Sequence, residues 1–337
     1  MEAKAGMRRQ FNTKTFLGKY AMYLILISLI AVFGIIEPAF FTGRNFVNIL
    51  TSESSRGLLA LGVAFCIISR GIDLSLGSVM AVSSVFAASL VQKLSYSTLI
   101  LPGLVNLPPI PAWVAFLVGI LVGTSFGLIN GLLIAYTKIH PFIATLGSMV
   151  VARGVALLYT NAYPVPMLRE DFTQIGQGTM FGFLPNIVVV FLVMIVIANL
   201  LLNHTRFGKN LFAVGGNVDA ARASGINVER TLVATYCWSS FCAALAGVMV
   251  TARSASGIAS LGDGYELDGI AAATVGGVSQ TGGVGSIIGC LGGILVLGVI
   301  NNGLMITGVS PYLQKIIKGI IIVVAVVFDM RKVARKR

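Results

Sequence analysis

The chain has 337 residues, 56% of them hydrophobic and only 11% charged, with a net charge of +12 and a mean hydropathy of +0.90. Soluble domains carry about a quarter charged residues, so a soluble globular protein is excluded before any motif is considered. The positive charge lies between apolar runs of membrane-spanning length, which removes nucleic acid as its partner, and the runs do not alternate as a β-barrel would require.

Lys4, Arg8, Arg9, Lys14 and Lys19 precede the first apolar run. This resembles the basic head of a signal peptide, but Glu37-Pro38 follows rather than a small-x-small cleavage site, so an uncleaved first span over Tyr20 to Ile36 is expected. A mixed segment, Arg44 to Arg56, reads as interfacial. A short second span follows over Gly57 to Ser69, and R-G-I-D-L-S-L-G-S separates it from a third, Leu74 to Val91. The Pro-rich stretch Leu101 to Pro111 is a loop. Ala112 to Tyr136 and Phe142 to Tyr159 are the fourth and fifth spans, joined by the tight turn T-K-I-H-P. A polar loop, Thr160 to Gly182, leads to the sixth, Phe183 to Leu202. Beyond residues 203–231 the seventh span runs Leu232 to Thr251, and Arg253 to Asp268 is polar and glycine-rich. Gly269 to Ile306 is long enough for two spans broken at Ser279 to Gly283, and Gln314 to Phe328 is the tenth. Segments 57–69 and 269–283 are the two that either span or re-enter.

The fold class expected is therefore all-α and integral to the membrane, a single transmembrane domain over 20–330 with a tail at 1–19 and a basic tail at 331–337. Placing the N-terminus in the cytoplasm puts sixteen basic residues inside and seven outside, as the positive-inside rule favours. Five spans on each side of residues 203–231 make the halves inverted repeats, with a faint echo between G-I-D-L-S-L-G (Gly71 to Gly77) and E-L-D-G-I (Glu266 to Ile270). Cys66, Cys237, Cys242 and Cys290 fall in apolar segments without metal-ligand spacing and read as small buried hydrophobes. His140 and His204 are too few for a metal site.

No G-x-x-x-x-G-K-[ST], H-E-x-x-H or G-x-S-x-G occurs, so neither ATP binding in a P-loop nor a catalytic constellation is expected. The stretch His204 to Arg230 is where hydrophobicity lapses. Arg206, Lys209, Arg222 and Arg230 make it basic, and Gly215-Gly216 breaks it. Asn217 suits a helix N-cap, Asp219 the positive first turn and Gly225 the stop, which predicts a short helix over Val218 to Ser224.

D-A-A-R-A-S-G (Asp219 to Gly225) resembles the E-A-A-x-x-x-G loop of ATP-binding-cassette importer permeases, with Asp in place of Glu. T-R-F-G-K-N-L-F-A-V-G-G-N (Thr205 to Asn217), G-I-D-L-S-L-G-S (Gly71 to Ser78), H-P-F-I-A-T-L-G (His140 to Gly147) and Y-E-L-D-G-I-A-A (Tyr265 to Ala272) are similar to segments of the monosaccharide permeases, the ribose/galactose permease family. So are V-G-G-V-S-Q-T-G-G-V-G (Val275 to Gly285) and P-Y-L-Q-K-I-I-K-G (Pro311 to Gly319). Seven colinear motifs cover nearly the whole chain. The resemblance implies a multi-pass protein of the bacterial inner membrane that pairs with a second copy or a homologous permease. It also implies a cytoplasmic ATPase with tandem nucleotide-binding domains, which holds the ATP and Mg, and a periplasmic or lipid-anchored sugar-binding protein. Galactose or a methyl galactoside is the substrate implied, with ribose, another sugar or a nucleoside as the alternative. The short helix then seats in the ATPase, with Arg206, Phe207, Gly208, Lys209, Asp219, Ala220, Ala221 and Gly225 as coupling residues.

A sugar path needs hydroxyl-binding side chains. Asp73, Ser75, Ser78, Asn130, Thr145, Glu266, Asp268 and Asn301 are the candidates, with Ser148 and Asn302 beside them. Arg70 and Asp73 interrupt an apolar region, and an Arg70–Asp73 ion pair with Asp73 capping the third helix is the plainer expectation. Arg153 needs carbonyls or a carboxylate, and Lys315 and Lys318 read as interfacial anchors. Glu266 and Asp268 also suit docking of the binding protein. An ion-coupled secondary transporter is the reading from another class, and it requires buried carboxylates or histidines that the spans, Asp73 apart, do not supply.

Overall fold

A chain that crosses hydrocarbon must satisfy its backbone within each segment, which an α-helix does. The computed structural model, which describes residues 13–96, 98–106 and 108–334, is helical nearly throughout. The helices are α1 (Thr13–Ile36), α2 (Gly43–Ile68), α3 (Leu76–Leu90), α4 (Ala112–Leu132), α5 (Pro141–Thr160), α6 (Glu170–Gln177), α7 (Asn186–His204), α8 (Arg206–Gly216), α9 (Val218–Ala223), α10 (Val228–Ser254), α11 (Tyr265–Val275), α12 (Ile287–Ile306) and α13 (Pro311–Ala334). A two-residue antiparallel hairpin, Thr179–Met180 against Leu184–Pro185, precedes α7. Among the described residues six helices are long and apolar enough to cross a membrane: α2, α4 with its π-helical extension to Thr137, α5, α7, α10 and α12.

Two long helices form the centre. The 27-residue α10 packs on α2, α3 and α4, and the 26-residue α2 packs on α7, α10, α11 and α12. Glycines at every fourth position of α4, Gly119, Gly123, Gly127 and Gly131, form the stripe that meets α10. A Cβ on Gly127 would lie 2.6 Å from that of Ser240, and one on Gly131 would lie 2.7 Å from the Val233 Cα. The bundle's outer surface is apolar, with Trp113 and Leu121 on α4, Val150 and Leu158 on α5 and Val193 and Val196 on α7 exposed.

Both central helices end the same way. After α2, Arg70 takes a left-handed φ of 64°; after α10, Ala255 takes 53°. Each is followed by a loop and then a short helix, α3 of 15 residues and α11 of 11. At 1.5 Å per residue α11 is roughly 16 Å long, half of a hydrocarbon core.

Several boundaries differ from the sequence-based expectation. Arg44 to Arg56 is not a separate interfacial segment: Thr42 caps a helix that continues unbroken through Ile68, so the second span is long, not short. Its polar positions, Glu53, Ser54 and Ser55, are buried against neighbouring helices, which hydropathy alone does not register. In the 269–283 stretch, expected either to span or to re-enter, the helix α11 stops at Val275, and Gly276 and Gly277 turn the chain. Helix α6 lies inside the loop expected over Thr160 to Gly182, and α8 stands where only the linker to the short helix was expected. The cysteines are free; Cys66, Cys242 and Cys290 are buried and Cys237 half-buried. The expected tails lie outside the described residues over 1–12 and 335–337, while Thr13 and Ala334 are already helical.

Candidate functional site

Three polar regions interrupt the apolar bundle. The first is the α8–α9 platform. Thr205 caps α8 by accepting from the Gly208 N–H, and Asn217 caps α9 through its Oδ1, 3.0 Å from the Ala220 nitrogen. Gly225 ends the motif at φ 81° while its N–H donates to the Arg222 carbonyl. The helix is thus Val218–Ala223, with Ser224 as its C-cap.

The expected coupling residues separate by burial. Arg206, Lys209, Asp219, Ala220 and Gly225 are exposed. Phe207 turns inward to stack on Phe65 of α2 at 6.0 Å, and Gly208 is buried where a side chain would strike the Leu202 carbonyl. Ala221 is buried too, packed with Val214 and Val228. Close approach at Ala221 is therefore to the protein's own core, while Ala220 faces outward. Arg222 pairs with Glu229 at 2.7 Å. Beside the platform a cavity of about 330 Å³ is lined by Arg70, Lys138, Arg222, Glu229 and Tyr236.

The second region follows the break after α2. The expected Arg70–Asp73 pair is not formed. Arg70 instead donates to the Thr281 carbonyl (2.8 Å) and the Gly216 carbonyl (2.7 Å), tying three loop segments together. Asp73 Oδ1 accepts from the Ser75 nitrogen (3.0 Å) and hydroxyl (2.6 Å), closing the turn before α3 rather than capping the helix. Asn130 donates to the Ser75 hydroxyl at 3.2 Å, and the Thr145 hydroxyl donates to the Pro141 carbonyl at 2.9 Å. These four residues are buried, and the second oxygen of Asp73 and the amide oxygen of Asn130 have no partner among the described residues.

The third region surrounds the start of α11. A cavity of about 360 Å³ is lined by Ser78 of α3, Met149, Val150, Arg153, Gly154 and Leu157 of α5, and Asp263 and Glu266. Arg153 finds carbonyls, as its position demanded: Nη1 donates to Ala259 (2.6 Å) and Leu261 (3.0 Å). Asp268 leaves α11 on the opposite side, where Lys318 and Arg56 meet it. Asn301 reaches Glu53 there at 3.5 Å, and Asn302 exchanges two amide hydrogen bonds of 2.9 Å with Asn45. Lys318 is therefore half-buried and paired, unlike the exposed Lys315. Ser148 is half-buried on α5 and is not among the residues lining that cavity.

The eight expected path residues thus fall into three groups: Asp73, Ser75, Asn130 and Thr145 at the break, Ser78 and Glu266 at the larger cavity, and Asp268 and Asn301 behind α11. Sequence reasoning passed over Glu53, Arg56 and Asp263. The signal for the first two was their i,i+3 spacing, which places both on one face once α2 is continuous. On the far face of the bundle from Arg70, Val165 pairs with Gly257, and Arg169 hydrogen-bonds both the Ile110 carbonyl and Asp171. That hydrogen bond from Arg169 holds the Asp171 carboxyl below its ordinary pKa.

A polytopic helical bundle, a basic helical platform on one face and polar cavities around broken helices define a membrane transport permease. A family profile described as branched-chain amino acid transport system / permease component matches residues 45–326. The chain is 40% identical over 329 residues to the galactose/methyl galactoside import permease protein MglC of Escherichia coli K12, covering 96% of this chain and 97% of that protein. It is 41% identical over 323 residues to MglC of Haemophilus influenzae, covering 94% and 95%. It is 38% identical over 318 residues to the ribose import permease protein RbsC of Bacillus subtilis, covering 94% of each. No solved structure matches. The chain belongs to this family, as a permease of the ABC-type sugar-import branch, and it is a transport subunit rather than an enzyme.

Proposed function

We propose that this chain imports a neutral monosaccharide of the galactose or methyl galactoside type, as the membrane subunit of an ATP-driven importer working by alternating access. The observation that carries the substrate is the 40% identity to MglC along nearly the full length of both chains. The family description names branched-chain amino acids, but the full-length relatives are sugar permeases. Ribose is the second substrate, favoured by the 38% identity to RbsC.

The topology we infer has ten membrane segments, α1 to α5 and then α7, α10, α11, α12 and α13, in inverted halves with both termini cytoplasmic. The domain spans 20–330, flanked by tails at 1–19 and 331–337. Its support is the repeated pattern of long central helix, left-handed residue and short helix, and the gathering of Arg70, Gly216 and Thr281 on one face. The exposed residues of α8 and α9, Arg206, Lys209, Asp219 and Ala220, contact the ATPase; Phe207, Gly208 and Ala221 hold the platform on the bundle, and Gly225 sets its end. Two copies enclose the path. Its wall is the Ser78–Arg153–Glu266 cavity, with the hydroxyl-binding group around Asp73 nearer the cytoplasm. A loaded binding protein docks on the outer loops, ATP draws the nucleotide domains together, and the platform transmits that motion to the bundle.

The test is uptake in proteoliposomes holding the permease, its ATPase and the binding protein. Galactose accumulation should require ATP and survive an ionophore. Uptake that collapses with the ionophore instead identifies an ion-coupled carrier, and a binding protein that retains leucine rather than a sugar overturns the substrate assignment.

A further inference from the structure

The first turn of α11 sends its two buried acids to opposite sides. Glu266 lies in the wall of the larger cavity, close enough to α3 that a Cβ on Gly77 would strike its Oε2. Asp268 turns away, and its Oδ2 lies 3.1 Å from Lys318 Nζ of α13 and 3.1 Å from Arg56 Nε of α2. Arg56 also bonds Glu53 Oε1 at 2.5 Å and sits 4.9 Å over the ring of Tyr265, the residue that begins α11. Two acids and two bases sum to zero, and all four side chains are largely hidden, with exposures of 6% to 24%.

Burying four charges inside an apolar bundle is not a cheap way to stabilise it, since a packed apolar cluster of equal volume often does as well. What a charge cluster adds is geometry: Asp268 is held from two helices at once. The need for that is specific to α11. Its C-terminal half is locked by close backbone packing, since a Cβ added to Gly293 of α12 would strike the Ala272 carbonyl and fall 2.8 Å from the Gly276 nitrogen, but Gly264, before its first turn, supplies no side-chain cap. The cluster holds the end that carries Glu266.

We propose that Arg56, Asp268 and Lys318 are positioning residues. They fix the first turn of α11 so that Glu266 and the Arg153-bound loop stand in the path wall, and their release lets ATP hydrolysis proceed without sugar movement. This rests on the reading of the Ser78–Arg153–Glu266 cavity as the path.

The experiment uses the complete importer in proteoliposomes, comparing Asp268→Asn, Lys318→Met, the double variant Asp268→Asn/Lys318→Met, Asp268→Glu and, for the path itself, Glu266→Gln. Sugar uptake, ATP hydrolysed per sugar and the unfolding midpoint of the purified permease are read for each. The double variant restores charge neutrality, so its midpoint should return toward wild type. Its maximal uptake should stay down by about tenfold or more, as misplacement of a site residue produces, with ATP hydrolysed per sugar raised and half-saturation by binding protein unchanged. Asp268→Glu should recover coupling. A double variant that regains both stability and coupled uptake overturns the positioning role, leaving charge balance alone. If Asp268→Asn does not fold, Lys318→Met, which keeps the Arg56–Asp268 contact, carries the comparison against the double variant. Normal uptake by Glu266→Gln overturns the path reading and the proposal with it; impaired uptake there beside normal coupling in the double variant overturns the proposal alone.

Discussion

Gly225 offers a test of the coupling platform in which the perturbation is purely conformational. Its φ is 81°, and no atom lies within 4 Å of where a Cβ would stand, so Gly225→Ala introduces no clash. Its whole effect is the penalty for a β-carbon in the left-handed region, roughly 1–2 kcal/mol. Converted at 1.4 kcal/mol per tenfold, the fraction of platform in the native geometry shifts by about 5- to 30-fold against the reoriented one. Asn tolerates this region better than Ala, and Pro forbids it outright while deleting the N–H that bonds the Arg222 carbonyl. Sugar-stimulated ATP hydrolysis in the purified importer should therefore fall in the order Gly, Asn, Ala, Pro, with membrane abundance nearly constant because Gly225 is exposed. Equal stimulation in Gly225→Ala and Gly225→Pro importers would refute the reasoning, showing that the geometry after Ser224 does not reach the ATPase.

Neighbouring alanines should separate packing from docking. Ala221→Arg forces a charge among Val214 and Val228 and should cost about 3 kcal/mol or more of stability, visible as a lowered unfolding midpoint, whereas Ala220→Arg should leave the midpoint unchanged and reduce ATPase binding. Gly127→Val overfills the α4–α10 contact at Ser240 and should lose about 1–3 kcal/mol, read as a lower midpoint in detergent. In the first turn of α6, the Asp171 carboxyl has a folded pKa below its unfolded value because of Arg169, so it stabilises above the unfolded value of about 3.9 and that contribution is lost as pH falls through the folded value. Hydrogen exchange of α6 should therefore accelerate in wild type as pH drops below about 4, once corrected for intrinsic exchange, and the acceleration should vanish in Asp171→Asn.

The short helix α9 was legible in advance because it depends on neighbours in sequence. Asn217 caps three residues ahead, Gly225 turns the chain at its own φ, and neither needs a distant partner. The burial of Ala221 was not legible, because which side of a two-turn helix is covered depends on Val214 and Val228 across the fold. The Arg70–Asp73 pair failed for a related reason. Residues three apart pair readily on a helix, but here they lie on a left-handed residue and an extended loop, and Arg70 reaches carbonyls 146 and 211 residues away.

Hydropathy, glycine content and charge distribution determined by themselves that the protein is a helical membrane bundle, since the solvent preference of each segment is a property of its own side chains. Motif order likewise determined the family. Tertiary structure alone decided that Glu53 and Arg56 belong inside a continuous helix, that α11 stops at Val275 within the 269–283 stretch, and that Glu266 and Asp268 serve different faces of α11. A buried charge is tolerated only where its partners stand, and those partners, Lys318 and Arg56, come from helices that the sequence keeps far apart.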